Sequence, residues 1–439
     1  MKSNLPIPNR HMLIGHVLRS LSNYWKQNGE ELLKLPVYNI PPNFEISIPL
    51  QLETIKLPEW ANDCGVNGQL MVPRECLELG LSGVDWKKVD WWTAIFLLME
   101  GWHERIWEKT HGVIHSYSFK LKDWDTRAWD HAWVNRIAIF LRRWVERKNI
   151  CKENFMGPLP NAKLILSHDV DAVSKTMPIR LKQGAFNLFN ALKCSSAGRI
   201  GEAFKYYGKA LRMLFGQGNW NHFEELLEME ADAEICAVYH FFADDRRKTL
   251  KRWLFDPGYD IPRKELNSLI ARLSAAGHEV GLHPAFDSWR DADLIANQRS
   301  ILEEKTGLPI LSCRQHWLRF SWKDTWTAQT KGGIKKDSTL MFNDRPGFRN
   351  SSCLSWHPWN PRKSKPHELT AINSVLMDSH LYDYHSFTEG ERKDEISCWV
   401  EESKKVLGEC SFLWHPHTLS QDYGWQGGLK CLLDKMSAI

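Results

Sequence analysis

The chain has 439 residues, 43% hydrophobic and 25% charged, with a formal net charge of +4. That length can supply more than one core. The charge balance does not mark a nucleic-acid binder, and no run of about 18 apolar residues marks a membrane span. The opening Met1-Lys2-Ser3-Asn4-Leu5-Pro6-Ile7-Pro8 has no apolar h-region, and the ten cysteines form no CxxC pair, so a cytoplasmic, reduced protein is expected. Twenty-two tryptophans, some beside charges as in Asp90-Trp91-Trp92, suit either sugar rings or core packing; packing is the expectation for any single one.

Residues 1 to about 155 show no alternation of strands and helices. Pro36, Pro41, Pro42, Pro49 and Pro58 break the first part into short extended pieces, and Trp92–Met99 and Val134–Val145 read as amphipathic helices. Cys151 to Asn161, with Gly157, Pro158 and Pro160, reads as a linker. From Lys163 the pattern changes. Strands are expected at 163–168, 235–242, 278–283, 309–314, 334–340, 371–378 and 411–415, with helices clearest at Lys264–Ala276, Asp291–Thr306 and Glu395–Gly408. Such alternation implies a parallel sheet, and seven units are enough to close a barrel.

One segment, at about 174–220, interrupts the alternation. It interleaves Lys175, Arg180, Lys182, Lys193, Arg199, Lys205, Lys209 and Arg212 with apolar residues such as Phe186, Phe189, Phe204 and Leu211, and only Glu202 opposes them in charge. A helical cap with a solvated basic face accounts for this, and so does a helical insertion that meets an anionic membrane surface or a phosphate-bearing substrate.

Titratable residues gather where strands are expected to end. Leu164-Ile165-Leu166 runs into Ser167-His168-Asp169-Val170-Asp171, where two carboxylates and a histidine need a cation or shared proton to offset repulsion. Val280 and Leu282 lead to His283, with Asp287 in the following loop; imidazole and carboxylate are suitable ligands for a divalent metal. Arg314 and His316 follow the next strand, Asp337 and Asp378 sit near the ends of later ones, and His415 follows the last. Parallel strands open onto loops at their carboxyl ends, which is where reactive groups collect.

In this order the residues resemble the polysaccharide deacetylases, metal-dependent carbohydrate esterases with a distorted seven-stranded (β/α) barrel. The resemblance covers about residues 160–439 and rests on Ser167-His168-Asp169-Val170-Asp171, Gly277-His278-Glu279-Val280-Gly281-Leu282-His283, Arg314-Gln315-His316, Asp337-Ser338-Thr339 and Leu413-Trp414-His415. It is nearest to a subgroup with an HDVD-type first motif and a GLHP-type second, associated with bacterial capsule, O-antigen or lipopolysaccharide assembly. Residues Asp90 to Trp107 look like the auxiliary domain of that subgroup.

The resemblance implies an α/β protein with an N-terminal α+β auxiliary domain over 1–155 and a barrel over 160–439. It implies Asp169 as catalytic base, His415 as catalytic acid and Arg314 as the residue that orients the base. A divalent metal, zinc foremost, would be held by Asp171, His283 and Asp287, with His168 or His316 as substitutes and Asp337 and Asp378 as further site residues. The implied substrate is an N-acylated sugar, nucleotide-linked, lipid-linked or polymeric, and the implied location is the cytoplasm, peripherally at the inner membrane face. The chain departs from the family pattern in three places. Asp169-Val170-Asp171 replaces an adjacent Asp-Asp, Asp287 falls where a second metal histidine is usual, and His316 stands where a small residue is usual. Two alternatives stay open: another C–N amide hydrolase on the same barrel, since a fold does not fix a substrate, and, on the basis of these departures, a non-catalytic sugar-binding or scaffold member.

Overall fold

The computed structural model describes residues 5–78, 85–148, 155–216, 218–259 and 264–438. Residues 151–154 of the linker expected at 151–161 lie outside these residues. The N-terminal part comprises α1 (Arg10–Ser20), β1 (Leu52–Lys56), β2 (Gln69–Pro73), α2 (Trp91–Met99), α3 (Trp102–His111) and α4 (Trp133–Lys148), with β1 and β2 in an antiparallel pair. Asp90 caps α2 by accepting a hydrogen bond from the Thr93 backbone N–H, which satisfies one of the helix's free amide groups. The expected amphipathic character of this helix does not hold. All nine of its residues are buried, because it lies between α1, β2 and α4.

The strands from Lys163 on are β3 (Lys163–Val170), β4 (Val238–Phe241), β5 (Glu279–Leu282), β6 (Ser312–Cys313) and β7 (Lys336–Asp337), then β8 (Ser355–Trp356), β9 (Trp359–Asn360), β10 (Lys365–Pro366), β11 (Thr370–Ile372), β12 (Ser374–Met377) and β13 (Glu409–Leu413); β9 and β10 pair antiparallel with each other, apart from the main sheet. Around them run α5 (Met177–Ser196), α6 (Ile200–Phe215), α7 (Phe223–Asp232), α8 (Leu250–Phe255), α9 (Lys264–Ala275), α10 (Ala292–Thr306), α11 (Thr325–Lys331), α12 (Asp378–Tyr382), α13 (Glu389–Lys405) and α14 (Gln426–Ser437). Each of the seven expected strands overlaps an observed one.

The sheet order is β12-β13-β3-β4-β5-β6-β7-β11-β8, parallel throughout except for β8 against β11. One extended run, residues 370–377, closes the barrel. Its first half pairs with β7 through Thr370↔Lys336, and its second half pairs with β13 through Ser374↔Ser411. The ladder runs on past the short strands: His283 N–H donates to the Phe241 carbonyl at 2.8 Å, Arg314 N–H to Leu282 at 3.1 Å and Trp414 N–H to Ser167 at 3.0 Å. The chain is therefore held in register up to the site residues.

The N-terminal part packs on the side of the barrel, and one buried apolar cluster runs continuously from Leu13 to Met436. Buried ion pairs join the two: Arg136 Nε meets Glu402 at 2.8 Å, and Arg349 Nε meets Glu104 at 3.2 Å. Most of the tryptophans serve this packing; only Trp253 and Trp317 are exposed. Inside the barrel, small residues leave room for larger polar ones. A Cβ on Gly281 would stand 2.4 Å from Ser312 Oγ and 2.7 Å from His240 Cδ2. Gly281→Ala is therefore expected to cost about 1–3 kcal/mol through overpacking, seen as a lower thermal unfolding midpoint; an unchanged midpoint would show that β4 and β6 yield without penalty.

Candidate metal centre

Arg314 follows β6, and its side chain is fully buried in the barrel interior. Nε donates to the Ser338 carbonyl at 3.0 Å, one terminal nitrogen to Ser167 Oγ at 2.8 Å and Asp169 Oδ1 at 3.3 Å, and the other to Ser374 Oγ at 3.1 Å and Ser411 Oγ at 3.0 Å. The guanidinium thus binds groups on or beside β3, β7, β12 and β13. Its planar fork has few other ways to be satisfied without water.

Asp169, near the end of β3, receives that guanidinium and is itself buried. His240 Nδ1, on β4, lies 3.3 Å from the same Oδ1, and His283 Nδ1 lies 3.9 Å from Oδ2. Burial by itself raises the pKa of a carboxyl, but His283 and Arg314, joined by His240, outweigh it and hold Asp169 well below the usual carboxylate range. His240 is pushed down to about 4, by burial first, against the pull of Asp169. Both its ring nitrogens lack a hydrogen-bond partner.

Asp171, His283 and His316 form a second cluster, with one donor atom from each and all three atoms within 4.8 Å of one another. Asp171 Oδ1 stands 3.3 Å from His283 Nε2 and 3.4 Å from His316 Nε2, and it accepts no hydrogen bond although it is buried. A ligand set around a cation explains such an orphaned oxygen. Ligands about 2.0–2.1 Å from a tetrahedral ion are about 3.3–3.4 Å apart, which matches both separations. His283 Nδ1 donates to the Arg314 carbonyl at 2.7 Å, fixing the tautomer that leaves the Nε2 lone pair facing Asp171. His316 Nδ1 faces Asp256 Oδ1 at 3.9 Å. Burial opposes ionisation of Asp171, but His283 and His316, with His415, hold its pKa well below the usual range.

His415 closes the opposite side of the mouth. Its Nδ1 donates to Asp378 Oδ1 at 2.8 Å, its backbone N–H to Oδ2 at 2.8 Å, and its Nε2 lies 3.7 Å from Asp171 Oδ2. Burial would lower the imidazole pKa, but Asp378, followed by Asp171 and Asp169, pushes it up to about 10. Asp378 therefore favours the protonated ring, and Nε2 is turned toward the centre.

The structure brings together Asp169, Asp171, His283, Arg314, His316, Asp378 and His415. It does not bring in Asp287, His168 or Asp337. Asp287 lies in the loop after His283 with its carboxylate 3.1 Å from Arg246, so His316 occupies the third corner expected of Asp287. His168 points away from the centre because side chains alternate along β3; its ring nitrogens meet the Trp414 carbonyl at 2.7 Å and Glu230 at 2.6 Å. Asp337 is buried beneath α11, accepting from Trp326 Nε1 at 2.9 Å and Gln329 Nε2 at 2.7 Å. Sequence reasoning did not single out His240, although one ionisable residue within the apolar run Val238-Tyr239-His240-Phe241 was a usable signal. Asp256, outside any strand, had none.

No family model and no curated protein matches the chain. Among solved structures it is similar to a proposed polysaccharide deacetylase from Mycobacterium smegmatis, at 17% identity and a TM-score of 0.38 over 64% of this chain and 85% of that one. It is also similar to the CE4 domain of a multidomain xylanase from the hindgut metagenome of Trinervitermes trinervoides, at 10% identity and 0.29 over 62% and 82%. A CE4 family pseudoenzyme from Bacillus anthracis matches at 10% identity and 0.26 over 63% and 62%. Likenesses this loose carry no argument. The centre has to be judged on its own residues.

His316→Ala and His283→Ala are each expected to lose a bound divalent metal that wild type and Asp287→Ala keep, as measured by mass spectrometry of the metal in purified protein. Loss of metal in Asp287→Ala with retention in His316→Ala would return the third ligand to Asp287.

Proposed function

We propose that the protein is a metal-dependent hydrolase that removes an N-acyl group, acetyl foremost, from a sugar in surface-polysaccharide synthesis. The observation that carries this reading is the placement of three kinds of group around one mouth. A three-donor set at Asp171, His283 and His316 stands beside an ionised carboxylate at Asp169 and across from a charged imidazole at His415. The donor set of one carboxylate and two imidazoles suits zinc. A divalent cation held there supplies a Lewis acid for the acyl oxygen and acidity for the attacking water.

The remaining steps belong to the chain. Asp169, kept ionised by Arg314, accepts a proton from the attacking water; its low basicity is sufficient only for a water already made acidic. His415 holds its proton until the tetrahedral centre collapses, then donates it from Nε2 to the departing nitrogen, which would otherwise leave as an amide anion. Asp378 keeps that proton in place and fixes the ring. Trp317, next to His316 and 41% exposed, offers an indole face at the rim for a sugar ring. Its φ of 58° is unusual for a bulky residue, so the backbone carries some strain in presenting it.

A non-catalytic reading drew its basis from the displaced second metal histidine. The three-donor set that includes His316 supports the hydrolase reading over it.

The test is acetate release from N-acetylated nucleotide- and lipid-linked sugars by metal-loaded protein. Asp169→Asn is expected to lower turnover by about 10²-fold or more with metal content unchanged; an active variant would remove Asp169 from the base role. Asp378→Asn tests the acid. Because the neighbouring carboxylate raises the His415 pKa, the alkaline limb of kcat/KM should fall at lower pH in this variant, toward the ordinary imidazole range, while the acid limb stays in place. An unmoved alkaline limb would assign the acid to another group.

A further inference from the structure

Helices α5 and α6 form an antiparallel hairpin in which the usual distribution of side chains is inverted. On α5 the buried positions are Gly184, Asn187, Ala191 and Cys194, and on α6 they are Ala203, Ala210 and Met213. A Cβ at Gly184 would stand 2.6 Å from Leu214, so the two helices meet closely over small residues. The large apolar side chains face outward. Met177, Leu181, Leu188 and Leu192 recur at the three- and four-residue spacing of a core-facing stripe, yet all are exposed. Ile200, Phe204, Leu211 and Phe215 do the same on α6. More than half of the large apolar side chains exposed among the described residues lie on these two helices, whereas soluble surfaces scatter such residues singly.

The charge around these stripes has one sign. Residues 177–215 hold seven Lys or Arg and one Glu. Lys193, Lys205 and Arg212 are exposed and make no ion pair among the described residues. No described helix is long and apolar enough to cross a membrane. The 20 residues of α5 and 16 of α6 give lengths of about 30 and 24 Å, suited to lying along a surface.

The hairpin is clamped at the mouth of the barrel. It leaves six residues after Asp171, and at its base Lys175 Nζ meets Asp422 at 2.7 Å. On its return, Trp220 Nε1 donates to the same carboxylate at 2.8 Å while its ring stacks on His417 at 5.3 Å. Lys182, half-buried on α5, feels the charges of Asp171 and Asp256.

We propose that the α5–α6 hairpin docks on an anionic phospholipid surface, with its leucine and phenylalanine stripes in the headgroup–acyl boundary and its lysines and arginines against lipid phosphates. An amphipathic pair with apolar and basic residues interleaved on its outer face is the chemistry such a surface binds. The barrel mouth is then held at the lipid–water boundary, within reach of a substrate carried on a lipid. Docking does not depend on the hydrolase reading, and its test needs no turnover.

The test is co-sedimentation of the full-length protein with phosphatidylcholine vesicles, with and without phosphatidylglycerol. Wild type is expected to bind the phosphatidylglycerol vesicles, less so at high salt. Phe189→Glu with Phe204→Glu should lower partitioning about tenfold or more, and Lys193→Glu with Lys205→Glu should remove the preference for the anionic lipid. All four positions are exposed, and matching near-ultraviolet circular dichroism separates lost binding from lost folding. Wild type left in the supernatant with both vesicle types would overturn the proposal. So would a dimer in light scattering that the phenylalanine variant splits and that binds no vesicles, which would assign the face to a second copy of the chain.

Discussion

The barrel is arranged around one buried cation. Arg314 is fully buried, and removing the partners of a buried charge costs about 3–5 kcal/mol. Its partners therefore have to be supplied by the barrel wall, and three of them are serines, Ser167, Ser374 and Ser411, on three different strands. Each is small enough to leave the space the guanidinium fills and polar enough to bind it. Gly281 belongs to the same constraint, since its missing side chain admits His240 and Ser312. The interior that would be a plug of Val, Ile and Leu in an ordinary barrel is here a polar layer, and that layer positions Asp169.

From that arrangement follows the electrostatics of the mouth. Asp169, Asp171 and Asp378 stand close together, and three carboxylates at that spacing are tolerable only with compensating charge. Arg314 offsets the first from below, and the His415 imidazolium offsets the third from the side. Asp171 faces His283, His316 and His415, with one oxygen that accepts no hydrogen bond. The hairpin adds a further charge, since Lys182 on α5 lies near enough to Asp171 and Asp256 to feel both carboxylates.

The seven main barrel strands and most of the mouth were legible in the sequence because local patterns encode them. Apolar runs such as Leu164-Ile165-Leu166 ending in ionisable residues locate a strand's carboxyl end without any knowledge of neighbours. Asp169, His283, Arg314 and His415 are found this way. His168, kept as a substitute ligand from the sequence, faces out because its neighbour Asp169 faces in, and Glu230 on α7 receives it. The outward stripes of α5 and α6 were legible as apolar spacing, but the same spacing ordinarily means a buried face.

What the sequence by itself determined, then, is the set of strands, the residues at their ends and the excess of basic over acidic charge in the insertion. All three are properties of neighbours along the chain. Only the tertiary structure decided that His316 stands where Asp287 was expected, that Asp337 is sealed under Trp326 and Gln329, and that the small residues of α5 and α6 face inward while the large ones face solvent. The physical reason is common to these cases. Which of several suitable side chains reaches a point in space depends on competing partners far away in sequence: Arg246 captures Asp287, while His316 is left facing Asp171 and Asp256.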